Sequence, residues 1–128
     1  MALQLAVLSD HLAVCRLQPQ TAIPEWATQA AFFSVTRTSD ELSIVCPEQQ
    51  APVGIQCERG WRAVKIEGPF AFDETGILAA VAGPLALAGV GILAIATYDT
   101  DYVLVKETQL AQAISVLRQH GHGVREHG

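Results

Sequence analysis

Thr97-Tyr98-Asp99-Thr100-Asp101-Tyr102-Val103-Leu104-Val105-Lys106-Glu107 is the stretch whose reading decides the fold. A short polar, acidic turn stands between two apolar runs, Ile92 to Ala96 and Tyr102 to Val105. Two such runs joined by a few turn residues read as a β-hairpin. The same plan occurs once before, in Phe33-Ser34-Val35-Thr36-Arg37-Thr38-Ser39-Asp40-Glu41-Leu42-Ser43-Ile44-Val45. Val35 falls under Ile95 and Val45 under Val105, an offset of 60 residues, so the chain reads as two copies of one small unit.

Working outward from the second hairpin, Thr108 to His120 has Leu110, Ala113, Ile114 and Leu117 on one helical face, and Gly121 supplies a helix stop. Gly123 to Glu126 is a short final strand. Upstream, Trp61 to Glu67 alternates as a strand and Gly68-Pro69 closes it. Asp73 or Thr75 is placed to cap a helix whose Ile77, Val81, Leu85 and Ala88 share a face. Pro84 should kink this helix or shorten its ladder, and Gly89 ends it. The order strand, helix, strand, strand, helix, strand is the ferredoxin-like βαββαβ layout, an α+β fold with two helices on one face of an antiparallel sheet.

The first half reads as a truncated copy. Leu3 to Leu8 and Leu12 to Leu17 form a hairpin about Ser9-Asp10-His11. Short helical turns start at Pro24 and Pro47, and strands run over Ala31 to Arg37 and Glu41 to Cys46. Cys57 to Gly60 marks the boundary, giving units 1–57 and 58–128.

With 128 residues and 50% hydrophobic content, the chain suits one compact domain or two very small ones. Eight basic and 13 acidic residues leave a net charge of −5, without the basic footprint of a nucleic-acid binder. The N-terminus has no basic region before an apolar run, so no signal peptide is read and a cytoplasmic setting is expected. Cys15, Cys46 and Cys57 are an odd set with no close pairing, taken as structural reduced thiols. Gly76 to Thr97 carries no charge and is long enough to span a membrane. Its Ala and Gly content, the Gly83-Pro84 and Gly89-Val90-Gly91 interruptions and its acidic flanks favour a buried helix, a glycine stop and a buried strand.

No G-x-S-x-G, Walker loop, H-E-x-x-H or dinucleotide fingerprint is present, so no catalytic residue is assigned and no enzyme activity or cofactor is expected. His120-Gly121-His122 with His127 resembles a metal site only superficially; a solvated helix end is expected, and no metal. Asp99 and Asp101, two apart, share a face of an extended strand. An acid pair is thus geometrically open, with no arginine or histidine to complete it.

Gly76-Ile77-Leu78-Ala79, then Pro84-Leu85-Ala86-Leu87-Ala88-Gly89-Val90, then Thr97 to Val105 resemble the aspartokinase-type ACT domains. These include small stand-alone bacterial proteins and the CASTOR-type arginine sensors of animals. The resemblance is specific over about Trp61 to Leu117 and looser over residues 1–60. It implies tandem ACT units, and a homodimeric regulatory sensor that holds an amino acid or related metabolite where two ACT domains meet. Carried over, the ligand-binding residues are Asp73, Glu74, Thr75, Gly76 and Ile77, facing Thr97, Tyr98, Asp99, Thr100 and Asp101. The free amides of a helix N-terminus suit a carboxylate. Glu74, Asp99 or Asp101 suits an ammonium or guanidinium, with Asp101 the first choice. No kinase domain is attached, so a bound ligand would report to some other, unidentified regulated protein. No equivalent site is expected in the first-half hairpin. The alternative is a protein–protein interaction module without a small-molecule ligand, in which the two aspartates merely supply turn chemistry.

Overall fold

The computed structural model describes residues 1–126. The chain divides into two compact units, one of residues 1–9 with 62 onward, the other of residues 10–61. These are not the contiguous units 1–57 and 58–128 expected from the sequence. The first strand, β1 (Gln4–Val7), is the reason. It does not form a hairpin with β2 (Leu12–Leu17); it pairs antiparallel with β5 (Gln56–Ile66), Leu5 opposite Ile66 and Val7 opposite Val64. It also pairs parallel with β8 (Gly123–Glu126). A run of Leu3, Leu5, Ala6 and Val7, all buried, cannot be left on a two-stranded ribbon, and joining a sheet covers it.

In the first unit the remaining elements are α1 (Ile77–Leu87), β6 (Ile92–Ala96), β7 (Asp101–Lys106) and α2 (Leu110–Gln119). The strand order is β6-β7-β5-β1-β8. This is the ferredoxin-like arrangement with β1 inserted between its first and last strands, so the sheet is mixed rather than wholly antiparallel. One face carries the core: Leu3, Leu5 and Val7 from β1 and the residue before it, Val64 and Ile66 from β5, and Val103 and Val105 from β7. Ile77, Val81 and Leu85 of α1 and Ala113, Ile114 and Leu117 of α2 cover them. The alternate strand positions and the three-to-four residue helical spacing are those of one buried face each.

Pro84 does not break α1, which runs to Leu87. Proline has no N–H to offer the carbonyl four residues back, at Ala80. His122 Nε2 lies 2.9 Å from that oxygen, and because a carbonyl only accepts, Nε2 carries the proton. Nδ1 then accepts the N–H of Leu3 at 3.1 Å. His122 is therefore 5% exposed and ties β1 to α1, contrary to the solvated helix end expected. His127 lies outside the described residues.

The second unit is β2, β3 (Ser34–Arg37), β4 (Leu42–Pro47) and β5 up to Trp61, in the order β3-β4-β2-β5 with every pair antiparallel. Single 3-10 turns at Glu25–Thr28 and Glu48–Gln50 stand where the helices of a βαββαβ unit would be. The expected boundary at Cys57 to Gly60 falls inside β5. Gly60, at φ +79°, forms a bulge there: Leu12 opposes Trp61 but Val14 opposes Glu58, leaving one extra residue on β5.

Residues 76–97 are a helix of 11 residues, a left-handed glycine at 89 and a strand; no helix among the described residues is long and apolar enough to cross a membrane.

Candidate functional site

The two hairpins share one loop chemistry. Thr97 N–H donates to Thr100 O at 2.8 Å, and Thr97 Oγ1 accepts the Thr100 N–H at 3.3 Å. Thr38 N–H donates to Glu41 O at 2.9 Å, and Thr38 Oγ1 accepts the Glu41 N–H at 3.2 Å. Threonine in this position mimics the backbone of a turn. The tips thus superpose with Thr38 under Thr97 and Asp40 under Asp99, one position off the alignment read from the sequence. The residue equivalent to Asp101, which closes its hairpin opposite Ala96, is Leu42, opposite Arg37 and fully buried. The carboxylate has no counterpart in the first hairpin.

Around the second tip the chain builds a hollow of about 260 Å³. The loop after β5 comes back against it: Phe70 N–H donates to Asp99 O at 3.0 Å. Gly68 allows that approach, since a Cβ there would stand 3.0 Å from Asp99 O. Thr100, 7% exposed, hydrogen-bonds through Oγ1 to Ile66 O and pins the tip to β5. Phe72 and Tyr98 meet edge to face, centroids 4.7 Å apart, at the rim, both largely exposed. Glu74 Oε1 accepts the Ala71 N–H at 2.9 Å, fixing the loop.

Of the residues predicted, Glu74, Ile77, Thr97, Tyr98, Asp99, Thr100 and Asp101 line this hollow; Asp73, Thr75 and Gly76 do not. Phe70, Ala71, Phe72 and Ala96 line it and were missed. The signal for the two phenylalanines was present, as apolar residues two apart in a loop otherwise headed by Gly68-Pro69. The expected cap at Asp73 or Thr75 is not made: Gly76, at φ +80°, precedes α1 with no side-chain cap. The first-turn amides are left without that partner, and a helix N-terminus in this state favours an anion. Both threonine hydroxyls are committed within the protein. Among the described residues neither the Asp99 nor the Asp101 carboxylate has a hydrogen-bond or ion-pair partner.

A wider hollow of about 560 Å³ lies over α2 and β8. Its Arg118 and Glu126 face each other at 3.6 Å and Arg118 also donates to Val124 O, so its charges answer one another. Among the described residues no group of three or more His, Cys, Asp or Glu side chains is arranged so that it could hold a metal ion.

The first unit is thus a ferredoxin-like domain with a polar hollow where its first helix begins. A family model described as the ACT domain matches residues 56–119, and a second model, described as an N-terminal domain, matches residues 10–53. The chain belongs to the ACT domain family. A crystal structure of a protein from Agobacterium tumefaciens is 39% identical, with a TM-score of 0.95 over 100% of this chain and 96% of that one. The ligand-free regulatory subunit of aspartate kinase from Thermus thermophilus has a TM-score of 0.62 at 17% identity, over 89% of this chain and 96% of that one, a likeness of fold alone. The human protein named cytosolic arginine sensor for mTORC1 subunit 1 is 43% identical over 65 residues, half of this chain but 20% of its own length. The chain thus spans about a fifth of the curated relatives it matches.

Proposed function

We propose that this chain is a non-catalytic, cytoplasmic regulatory protein that binds a free amino acid, of the cationic kind, in the hollow between the start of α1 and the hairpin tip. The observation that carries the reading is the pair of carboxylates without a partner among the described residues, Asp99 and Asp101, in the same hollow as Ile77, the first residue of a helix with no side-chain cap. An amino acid is both acid and base. Its carboxylate suits the first-turn amides, and an ammonium or guanidinium suits the aspartates through charge-assisted hydrogen bonds. The Phe72 and Tyr98 rings at the rim add aromatic surface beside which a cation is favoured. The name of the human relative, an arginine sensor, agrees with a cationic ligand.

A homodimer completes the proposal. No charged residue occurs from Gly76 to Thr97, and Leu87 of α1 is 88% exposed. A helix apolar all round is normally covered. A second copy would cover it and close the open hollow, and the ligand state would then be read by a separate regulated protein. The same apolar face supports the alternative, an interaction module without a ligand.

A thermal-shift screen against the twenty amino acids separates the two, because a ligand that binds only the folded chain raises Tm by mass action. We expect a rise with one or two cationic amino acids, lost in Asp101→Ala. No shift at millimolar concentration, or a shift that survives Asp101→Ala, would count against the site.

A further inference from the structure

Three thiols scattered at positions 15, 46 and 57 come together in the 10–61 unit, which the amino-acid reading does not use. Cys15 on β2 stands directly opposite Cys57 on β5, their sulfurs 2.6 Å apart. Cys46 on β4 opposes Ala13 in the same apolar cluster, and its thiol also hydrogen-bonds with Cys15. Burial pushes the Cys15 thiol up, and its hydrogen bond with Cys57 adds to this; burial likewise raises Cys46. A thiol held protonated is a poor nucleophile. Cys57 differs in being only partly buried, and with Cys15 it lines a surface hollow of about 200 Å³ edged by Arg16, Glu41 and Glu58.

We propose that Cys57 and Cys15 form a reversible dithiol–disulfide pair, oxidised by a low-molecular-weight disulfide entering the hollow over Cys57. The Cys57 thiolate attacks one sulfur of the disulfide RSSR, which breaks and releases RS⁻, leaving Cys57–S–S–R. Cys15 loses its proton to solvent and attacks the Cys57 sulfur, expelling the second RS⁻. The two protons end on the released thiols, so the pair loses two electrons and RSSR gains them. Directly opposed positions in an antiparallel pair have Cβ atoms about 4.5–5.5 Å apart, next to the range a disulfide bridges.

The test equilibrates the full native chain in a glutathione redox buffer and reads intact mass, thiol count and a peptide map. Free thiols should fall from three to one through a Cys15–Cys57 link, a loss of roughly 2 Da that dithiothreitol reverses. Cys46→Ala should still form the link, its free thiols falling from two to none. Cys15→Ala should stop at a glutathione adduct on Cys57, and Cys57→Ser, at the partly exposed partner, should take up nothing. The proposal is overturned if the native chain keeps three thiols in a buffer that oxidises the urea-unfolded chain, or if the link maps to Cys46.

Discussion

At the residue scale the hairpin tip separates side chains that build the hollow from side chains left for a ligand. Thr100 belongs to the first kind. Its hydroxyl is buried on the Ile66 carbonyl, so Thr100→Val removes a buried donor from that oxygen. Such a loss costs about 1–3 kcal/mol, which a urea melt would register as a lower midpoint at unchanged slope. Asp99→Asn, on an exposed carboxylate without a partner in the described residues, should stay within about 0.5 kcal/mol of the parent. If the two variants melted alike, the division of labour at the tip would be wrong. The sequence made the tip's polarity legible but not this division: a threonine at 97 or 100 looks the same whether its hydroxyl faces a ligand or a carbonyl of β5.

At the element scale α1 shows how a local defect is repaired from far away. Pro84 leaves the Ala80 oxygen without its helical donor, and His122, forty-two positions on, supplies one. His122→Ala should therefore cost roughly 1–3 kcal/mol for orphaning a part-buried carbonyl, with the buried Leu3 amide orphaned besides. In a Pro84→Ala background the helix regains its own N–H at that place, so the same substitution should cost about 1 kcal/mol less. A double-mutant cycle by chemical denaturation reads this coupling; strictly additive effects would refute the repair. The sequence announced the proline and the histidines separately. Nothing in their spacing tied one to the other, because the link runs through tertiary approach and not along the helix.

At the scale of the whole molecule the first nine residues are the decisive element. Leu3, Leu5 and Val7 enter the core of the unit formed by residues 62 onward. Burying three such side chains contributes about 5–9 kcal/mol, comparable with the entire stability of a small domain. A 58–128 fragment, although it holds every helix and strand of a βαββαβ unit, should show no cooperative thermal transition by far-UV circular dichroism. A sharp melt from that fragment would show that β1 is dispensable.

Strand and helix periodicity, the turn residues and the repeated hairpin determined the element order, the α+β class and the location of the acidic tip, since each depends on neighbours within a few positions. Asp99 and Asp101 were in view for the same reason. Tertiary structure alone decided that β1 leaves β2 for β5 and β8, that the hairpins align one position away from the apparent repeat, that Phe70 and Phe72 wall the hollow, and that Cys15 meets Cys57. The physical reason is common to all four. Local pattern fixes which face of an element is apolar, whereas the partner that covers the face is chosen by burial and backbone pairing between segments distant in the chain.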